Sequence, residues 1–437
     1  MITETIRFKR VVRLSKEGFW ILLGQIMLVL GTIIGVRVIT EILGPESYGE
    51  LALGMTVVIL INKILLAPLS NGAARFYAPA AEKNDLTSYV CALKNILIFL
   101  ISVIIMFGVL IATVFLSFDQ MQWIPLVIAA FIFAILSGFN GVLNSVQNAA
   151  RQRAIVALHQ GSEPWARFTC AAGLVFFFGR ESTLAMLGYS FAASIIILSQ
   201  LFFFRKIIPE KAIKSFQIKN WQHEITKFSL PFAVWGIFTW AQFASSRWGL
   251  EFYTTTREVG LFSALFQIGY YPISLATTLM CTFLGPIFYQ RAGDGADSLR
   301  NSGVDNLGWR LAGFCLIMTG LAFSVGMLFH KQIFALFVSN EFASISHLLP
   351  WMIFAGGLFA AAHIVSFNIR IRMKPQILKK AKIISSLVGI IFNLAGAYWY
   401  GTRGVVMAMC IFSLLHFIWV ARLAKNINEN LPVVNNI

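Results

Sequence analysis

Residues 18–72, GFWILLGQIMLVLGTIIGVRVITEILGPESYGELALGMTVVILINKILLAPLSNG, decide the fold class. Two apolar runs, over about 18–40 and 51–71, stand on either side of a turn around Gly49, and each is long enough to cross a hydrocarbon core of about 30 Å. No water reaches that core, so backbone polar groups must pair within the segment itself and the runs must be helices. The runs are continuously apolar with no period-2 alternation, which excludes a β-barrel.

Outward from this pair the pattern repeats along the chain. Further runs are expected at about 89–116, 124–147, 168–179 (a short one) and 183–204. A second set is expected at about 228–248, 261–285, 307–329, 348–369, 383–400 and 404–421. The composition agrees: 58% hydrophobic, 14% aromatic and 12% charged, against about 25% charged for a soluble domain. The reading is an all-α polytopic membrane protein of about twelve transmembrane helices in two six-helix lobes. The first run exceeds 20 residues and has no small-residue cleavage site, so it is read as an uncleaved first helix.

Charge supplies the orientation. The net charge of +16 is not gathered on a soluble face, which argues against nucleic acid as a partner; it lies in short segments between apolar runs. Segments on one side carry Arg75, Lys83, Arg151, Arg153, Arg167, Arg205, Lys206, Lys211, Lys214, Lys219 and Lys227, then Arg291, Arg300, Arg310, Arg370, Arg372, Lys374, Lys379, Lys380, Lys382, Arg422 and Lys425. The opposite loops hold Arg180, Arg257, Lys331 and Arg403. By the positive-inside rule both termini are cytoplasmic. The most basic internal loop, RKIIPEKAIKSFQIKNWQHEITK (205–227), falls near the midpoint, so the expected organisation is an N-terminal lobe over 1–210, a cytoplasmic linker over 211–227 and a C-terminal lobe over 228–437. A faint repeat runs through both halves: Arg37 precedes the YGELAL turn around Gly49, and Arg247 precedes EVGLFSAL around Gly260. Such a repeat would be parallel, with the pathway between two lobes.

No GxxxxGK[ST], HExxH or strand-linked GxGxxG motif occurs, so nucleotide hydrolysis and metalloprotease chemistry have no machinery here, and no cofactor is implied. The five cysteines, Cys91, Cys170, Cys281, Cys315 and Cys410, show no CxxC pair and read as small apolar residues. The outer loops are short. The longest, KQIFALFVSNEFASISH (331–347), leaves little room for a carbohydrate-processing site.

An ionisable group near mid-bilayer costs about 2.5–3.5 kcal/mol on insertion scales and therefore calls for a function. Lys63 lies about 12 residues, roughly 18 Å, from the start of its run and is too deep to reach water easily. Arg37 and Arg247 lie within about two turns of the outer surface, where a snorkelling anchor is an equal reading. Arg75, just beyond Asn71 and Gly72, is either a topology anchor or a second deep cation. Carboxylates are nearly absent from the helical cores, with Glu41 and Glu251 at the ends. A cation-lined, acid-poor interior suits an anionic cargo such as a pyrophosphate. Pro68 and Pro272 remove backbone donors and are candidate gating bends, with ordinary membrane-helix prolines as the plainer reading. His363 is a candidate proton relay or a packed histidine. The pairs Tyr270/Tyr271 and Trp235/Trp240 serve either sugar stacking or packing.

The segment over residues 18–53, followed by LAPLSNGAARFYAPA (66–80), resembles the start of the polysaccharide transporter family, the O-antigen and exopolysaccharide flippases. That family shares a superfamily with the multidrug and toxin extrusion exporters. The resemblance implies a two-lobed, alternating-access flippase in a bacterial inner membrane. Its cargo would be an undecaprenyl-pyrophosphate-linked oligosaccharide, its drive a proton or sodium gradient, and its partners membrane lipid and polysaccharide polymerase machinery. It also implies a cationic cavity, for which Lys63, Arg37, Arg75 and Arg247 are this chain's candidates. It identifies no coupling residue. A multidrug exporter, a membrane polymerase or ligase, and a non-transporting scaffold remain alternative readings of the residues.

Overall fold

In a computed structural model, which describes residues 2–207, 215–292, 298–371 and 375–429, the chain is built from helices. Lys211, Lys214, Arg372 and Lys374, among the charges assigned to the cytoplasm, lie outside the described residues. The elements are α1 (Ile2–Ile61), α2 (Ala67–Glu82), α3 (Leu86–Ser117), α4 (Ile124–Ala149), α5 (Arg153–Phe178) and α6 (Ser182–Phe204). They continue with α7 (Ser215–Tyr253), α8 (Thr256–Gly269), α9 (Tyr271–Ala292), α10 (Ser298–Phe337), α11 (Leu349–Ile371) and α12 (Pro375–Glu429). Eight stretches among the described residues are long and apolar enough to span a bilayer. Two of these, Glu17–Glu82 and Ala381–Asn426, each contain a break. Gly44 (φ 72°, ψ 171°) interrupts α1 and Gly401 (φ 55°, ψ −137°) interrupts α12. Only glycine takes such positive φ without a Cβ penalty, so one hydrogen-bonded run becomes two arms at each site. This is a multi-pass membrane protein.

Two compact units divide the chain, Met1–Trp240 and Ala241–Ile437. In the first, α5 packs along α1. Added Cβ atoms at Gly24 and Gly35 of α1 would strike Ala157 and Phe168 of α5, the close approach by which membrane helices gain dispersion contact. Trp165 Nε1 donates to the Met27 carbonyl at 2.9 Å across the same seam. On the other side α3 turns Ile98, Phe99, Ile105, Met106, Phe107, Val109 and Leu110 outward, an uninterrupted apolar face suited to acyl chains. In the second unit α11 is the central helix. Ala355–Leu358, Ala360–Ala362 and Ile364–Ile369 are buried on all sides of the helix, as a helix enclosed by others must be.

Several expectations change. The fifth helix is not a short run from 168 but spans Arg153–Phe178, so Arg167 lies in mid-helix rather than in a flanking segment. Its charge lowers the local hydropathy and hides the first half of the helix. Residues 215–227, within the expected linker, form the opening turns of α7. There Trp221 is buried and its Nε1 donates to Asp85 Oδ2 at 2.8 Å, with Lys83 Nζ above its ring. Lys331–Phe337, expected in a loop, continues α10, and Asn340–Leu348 is 3₁₀ with Phe334, Val338 and Phe342 buried.

The repeat acquires physical content. In the first unit Ser182, the first residue of α6, donates to Glu50 Oε2 at 2.6 Å. In the second, Thr402, just past the Gly401 break, donates to Glu258 Oε2 in the first turn of α8. The start of α6 and the start of the second arm of α12 are thus each fastened by a hydroxyl-to-carboxylate bond to a glutamate that opens an earlier helical arm of the same unit.

Candidate functional site

Helix geometry around Lys63 comes from one missing donor. Asn62–Leu66, between α1 and α2, is a π turn in which the Ala67 N–H reaches the Asn62 carbonyl, five residues back. In this register the Lys63 carbonyl would accept from residue 68, and Pro68 has no N–H. The proline expected to bend the helix therefore sits at a widened turn, a feature often found at functional sites. Neighbouring helices fit around it. Asn62 Nδ2 donates to Ser137 Oγ of α4 at 3.0 Å, and a Cβ on Gly138 would overlap Leu66 and the Asn62 side chain. Gly236 of α7 lies against the donorless Lys63 carbonyl, where a Cβ would overlap the oxygen.

Lys63 itself is exposed, and downstream so are Asn71, Ala74, Arg75, Ala78 and Glu82 of α2. This exposed face is polar or small, in contrast to the apolar outer face of α3, and does not suit hydrocarbon. Among the described residues neither Lys63 nor Arg75 has an ion-pair partner. The other two candidates are engaged. Arg37 pairs with Glu41 at 3.1 Å, one helical turn on. Arg247 Nε donates to Ser263 Oγ at 3.1 Å, with its guanidinium 5.0 Å from the Phe266 ring centre, an arrangement that spreads and holds its charge.

Pro272 is the second residue of α9, where the expected long eighth helix parts from α8 at Tyr270. Tyr270 is buried and stacked on Phe266 at 4.8 Å, inside a cluster with Phe243 and Phe359. It is therefore a core residue rather than an open sugar platform. Trp240 is likewise committed, its Nε1 donating to the Thr56 carbonyl at 2.8 Å. His363 lies edge-on to Phe367 at 6.1 Å.

Three polar groupings escaped the reading of the sequence. Arg167 pairs with Glu163 at 3.4 Å within α5 and lies 5.2 Å from the ring of Tyr189 on α6; the i,i+4 spacing of opposite charges was the available signal. Gln200 donates to Asn144 at 2.8 Å, Asn144 to Asn140 at 3.1 Å, and Gln147 to the Gln200 carbonyl at 3.4 Å, joining α4 to α6 by amides. In the second unit Ser386 donates to Gln242 Oε1 at 3.2 Å, and Asn393 to Ser245 Oγ at 3.0 Å and to the Gln242 carbonyl at 3.1 Å. Lys382, expected in a loop, places Nζ 5.2 Å from the Phe359 ring centre.

Known proteins share both the sequence pattern and the fold. The sequence profile described as polysaccharide biosynthesis protein matches residues 14–290. No curated protein matches by sequence. Among solved structures, the lipid II flippase MurJ in an inward closed conformation is similar at 13% identity and TM-score 0.66, over 94% of this chain and 87% of that one. A multidrug resistance MATE family transporter of the MOP superfamily, inward-facing, is similar at 14% identity and TM-score 0.65, over 93% and 96%. The Vibrio cholerae MATE transporter VcmN, in its bent form, is similar at 14% identity and TM-score 0.56, over 96% and 98%. At these identities the likeness is one of fold, while the profile covers more than half of the chain: this protein belongs to the polysaccharide biosynthesis protein family and has the fold of MOP-superfamily transporters.

Proposed function

We propose that this protein is a flippase that moves an undecaprenyl-pyrophosphate-linked oligosaccharide from the cytoplasmic to the periplasmic leaflet of a bacterial inner membrane. It crosses the bilayer twelve times with both ends cytoplasmic, works by alternating access and draws on a proton or sodium gradient. The observation that carries this reading is the pair Lys63 and Arg75, two exposed cations without ion-pair partners among the described residues, on a polar face of a helix whose neighbours are apolar. A cation with no carboxylate paired to it is free to bond a pyrophosphate oxygen, and such charge-assisted hydrogen bonds are about twice as strong as neutral ones. Arg37 and Arg247, engaged within their own units, serve as secondary contacts or as anchors for the helix ends. Pro68, beside the π turn, and Pro272, at the start of α9, are the proposed gating positions.

The test is the sidedness of lipid-linked oligosaccharide in inverted and right-side-out vesicles from a deletion strain carrying wild-type, Lys63→Ala or Lys63→Arg protein at equal abundance. Cargo should accumulate on the cytoplasmic face with Lys63→Ala and be partly relieved by Lys63→Arg. Normal sidedness in the deletion strain would refute flipping and favour a polymerase or ligase.

A further inference from the structure

The π turn at Asn62–Leu66 determines where around the helix Lys63 points, and its phase can be worked out. At about 100° per residue, Asn71, Ala78 and Glu82 fall within about 60° of Arg75. In an uninterrupted α-helix Lys63, twelve residues before Arg75, would lie about 120° away, and Ile64 would take the place on their face. A π turn holds one extra residue and rotates everything upstream by about 100°, which brings Lys63 to within about 20° of Arg75. Burial agrees with the widened register: Lys63 is exposed while Ile64 is partly buried. Along the axis Lys63 and Arg75 are roughly 17 Å apart, so one pyrophosphate cannot touch both.

We infer that the wide turn exists to phase Lys63 with Asn71 and Arg75, so that this helix carries a single anion lane with two separate stations, Arg75 near its Glu82 end and Lys63 deep. Pro68 and Gly236 are the positioning residues: the first withholds the donor that a regular α ladder needs, and the second lets α7 cover the carbonyl left without one. The anionic head group of the cargo passes from one cation to the next, with Asn71 offering amide contacts between them. This assignment of stations rests on the flippase reading; the lane and its register do not.

The experiment uses the full chain in membrane vesicles, with single cysteines introduced at 63, 64, 71 and 75 and labelling of the native cysteines subtracted. Water-borne methanethiosulfonate reagents of opposite charge are the probes. Cysteines at 63, 71 and 75 should react and that at 64 should not. Reaction at 64 in place of 63 would overturn the register, and silence at 63, 71 and 75 together would overturn the lane. At Asn71→Cys the anionic reagent should outpace the cationic one by about tenfold, the lower end of what focused charge achieves in a cleft. That ratio should fall when either Lys63→Gln or Arg75→Gln is added. A ratio near one, or one unchanged by both substitutions, would refute two cationic stations. These readouts do not involve export, so failure of flipping in the sidedness assay and failure of the lane are distinguishable.

Discussion

Replacing Gly236 with alanine places a methyl group into the Lys63 main chain, where the new carbon would overlap the carbonyl oxygen and lie 2.9 Å from the carbonyl carbon and 3.4 Å from the Lys63 Cβ. The obstacle is backbone, which cannot swing aside as a side chain does, and it belongs to a turn already pinned by Asn62 on Ser137. The two helices must therefore separate. Overpacking of this kind costs about 1–3 kcal/mol. Alanine itself favours a helix over glycine by about 0.8–1 kcal/mol, so the clash must exceed that gain to appear at all. Gly173 of α5 supplies the control, because nothing lies within 4 Å of a Cβ placed there. Gly173→Ala should leave stability unchanged or raised. The net cost after the alanine gain is about 0–2 kcal/mol, so Gly236→Ala should melt below wild type by up to roughly 8 °C, taking about 2–4 °C per kcal/mol for a unit of this size. The assay is the loss of monodisperse protein on size-exclusion chromatography after heating in detergent, at one fixed heating rate because membrane proteins unfold irreversibly. The same variant should diminish export through the displaced Lys63. A Gly236→Ala protein that melts at or above wild type would refute the close approach of α7 to the wide turn.

Two further outcomes follow from the geometry. Ser182→Ala and Thr402→Val each remove a hydroxyl that donates to a carboxylate, and each should lower stability by about 1.5–3 kcal/mol, the range for hydrogen bonds to charged groups; equal stability to wild type in the same heating assay would contradict the role of these fastenings. For Arg167 and Glu163 the signature is non-additivity: Glu163→Leu leaves the arginine without its partner inside α5 and should reduce folded yield more than the double substitution with Arg167→Leu, whereas additive losses would show that the pair is not coupled.

Most of the architecture was legible in the sequence, because hydrocarbon imposes one constraint on every crossing segment: a long apolar run that satisfies its own backbone. The runs around 89–116, 124–147 and 183–204 correspond closely to α3, α4 and α6. The failure at α5 has the same origin. Hydropathy sums individual residues, and it counts Glu163 and Arg167 as two charges although they neutralise one another one turn apart. Likewise Lys382 reads as a loop cation until Phe359 is seen beneath it. The candidate site was half legible: a deep lysine and a nearby arginine stand out by cost alone, but which cations are already engaged depends on Glu41, Ser263 and the Phe266 ring.

By itself, then, the sequence determined that this chain lives in a membrane, that its helices alternate with charged turns, and that the charges within its apolar runs are mostly cationic, since these follow from transfer energies of single residues. It also supplied Pro68, whose missing donor is a local property. Only the tertiary structure decided that Pro68 produces a π turn rather than a simple bend, because the alternative registers differ little in local energy and the choice falls to what packs around them. Gly138 and Gly236 on other helices leave room for the widened turn, and that room turns Lys63 onto the face of Asn71 and Arg75.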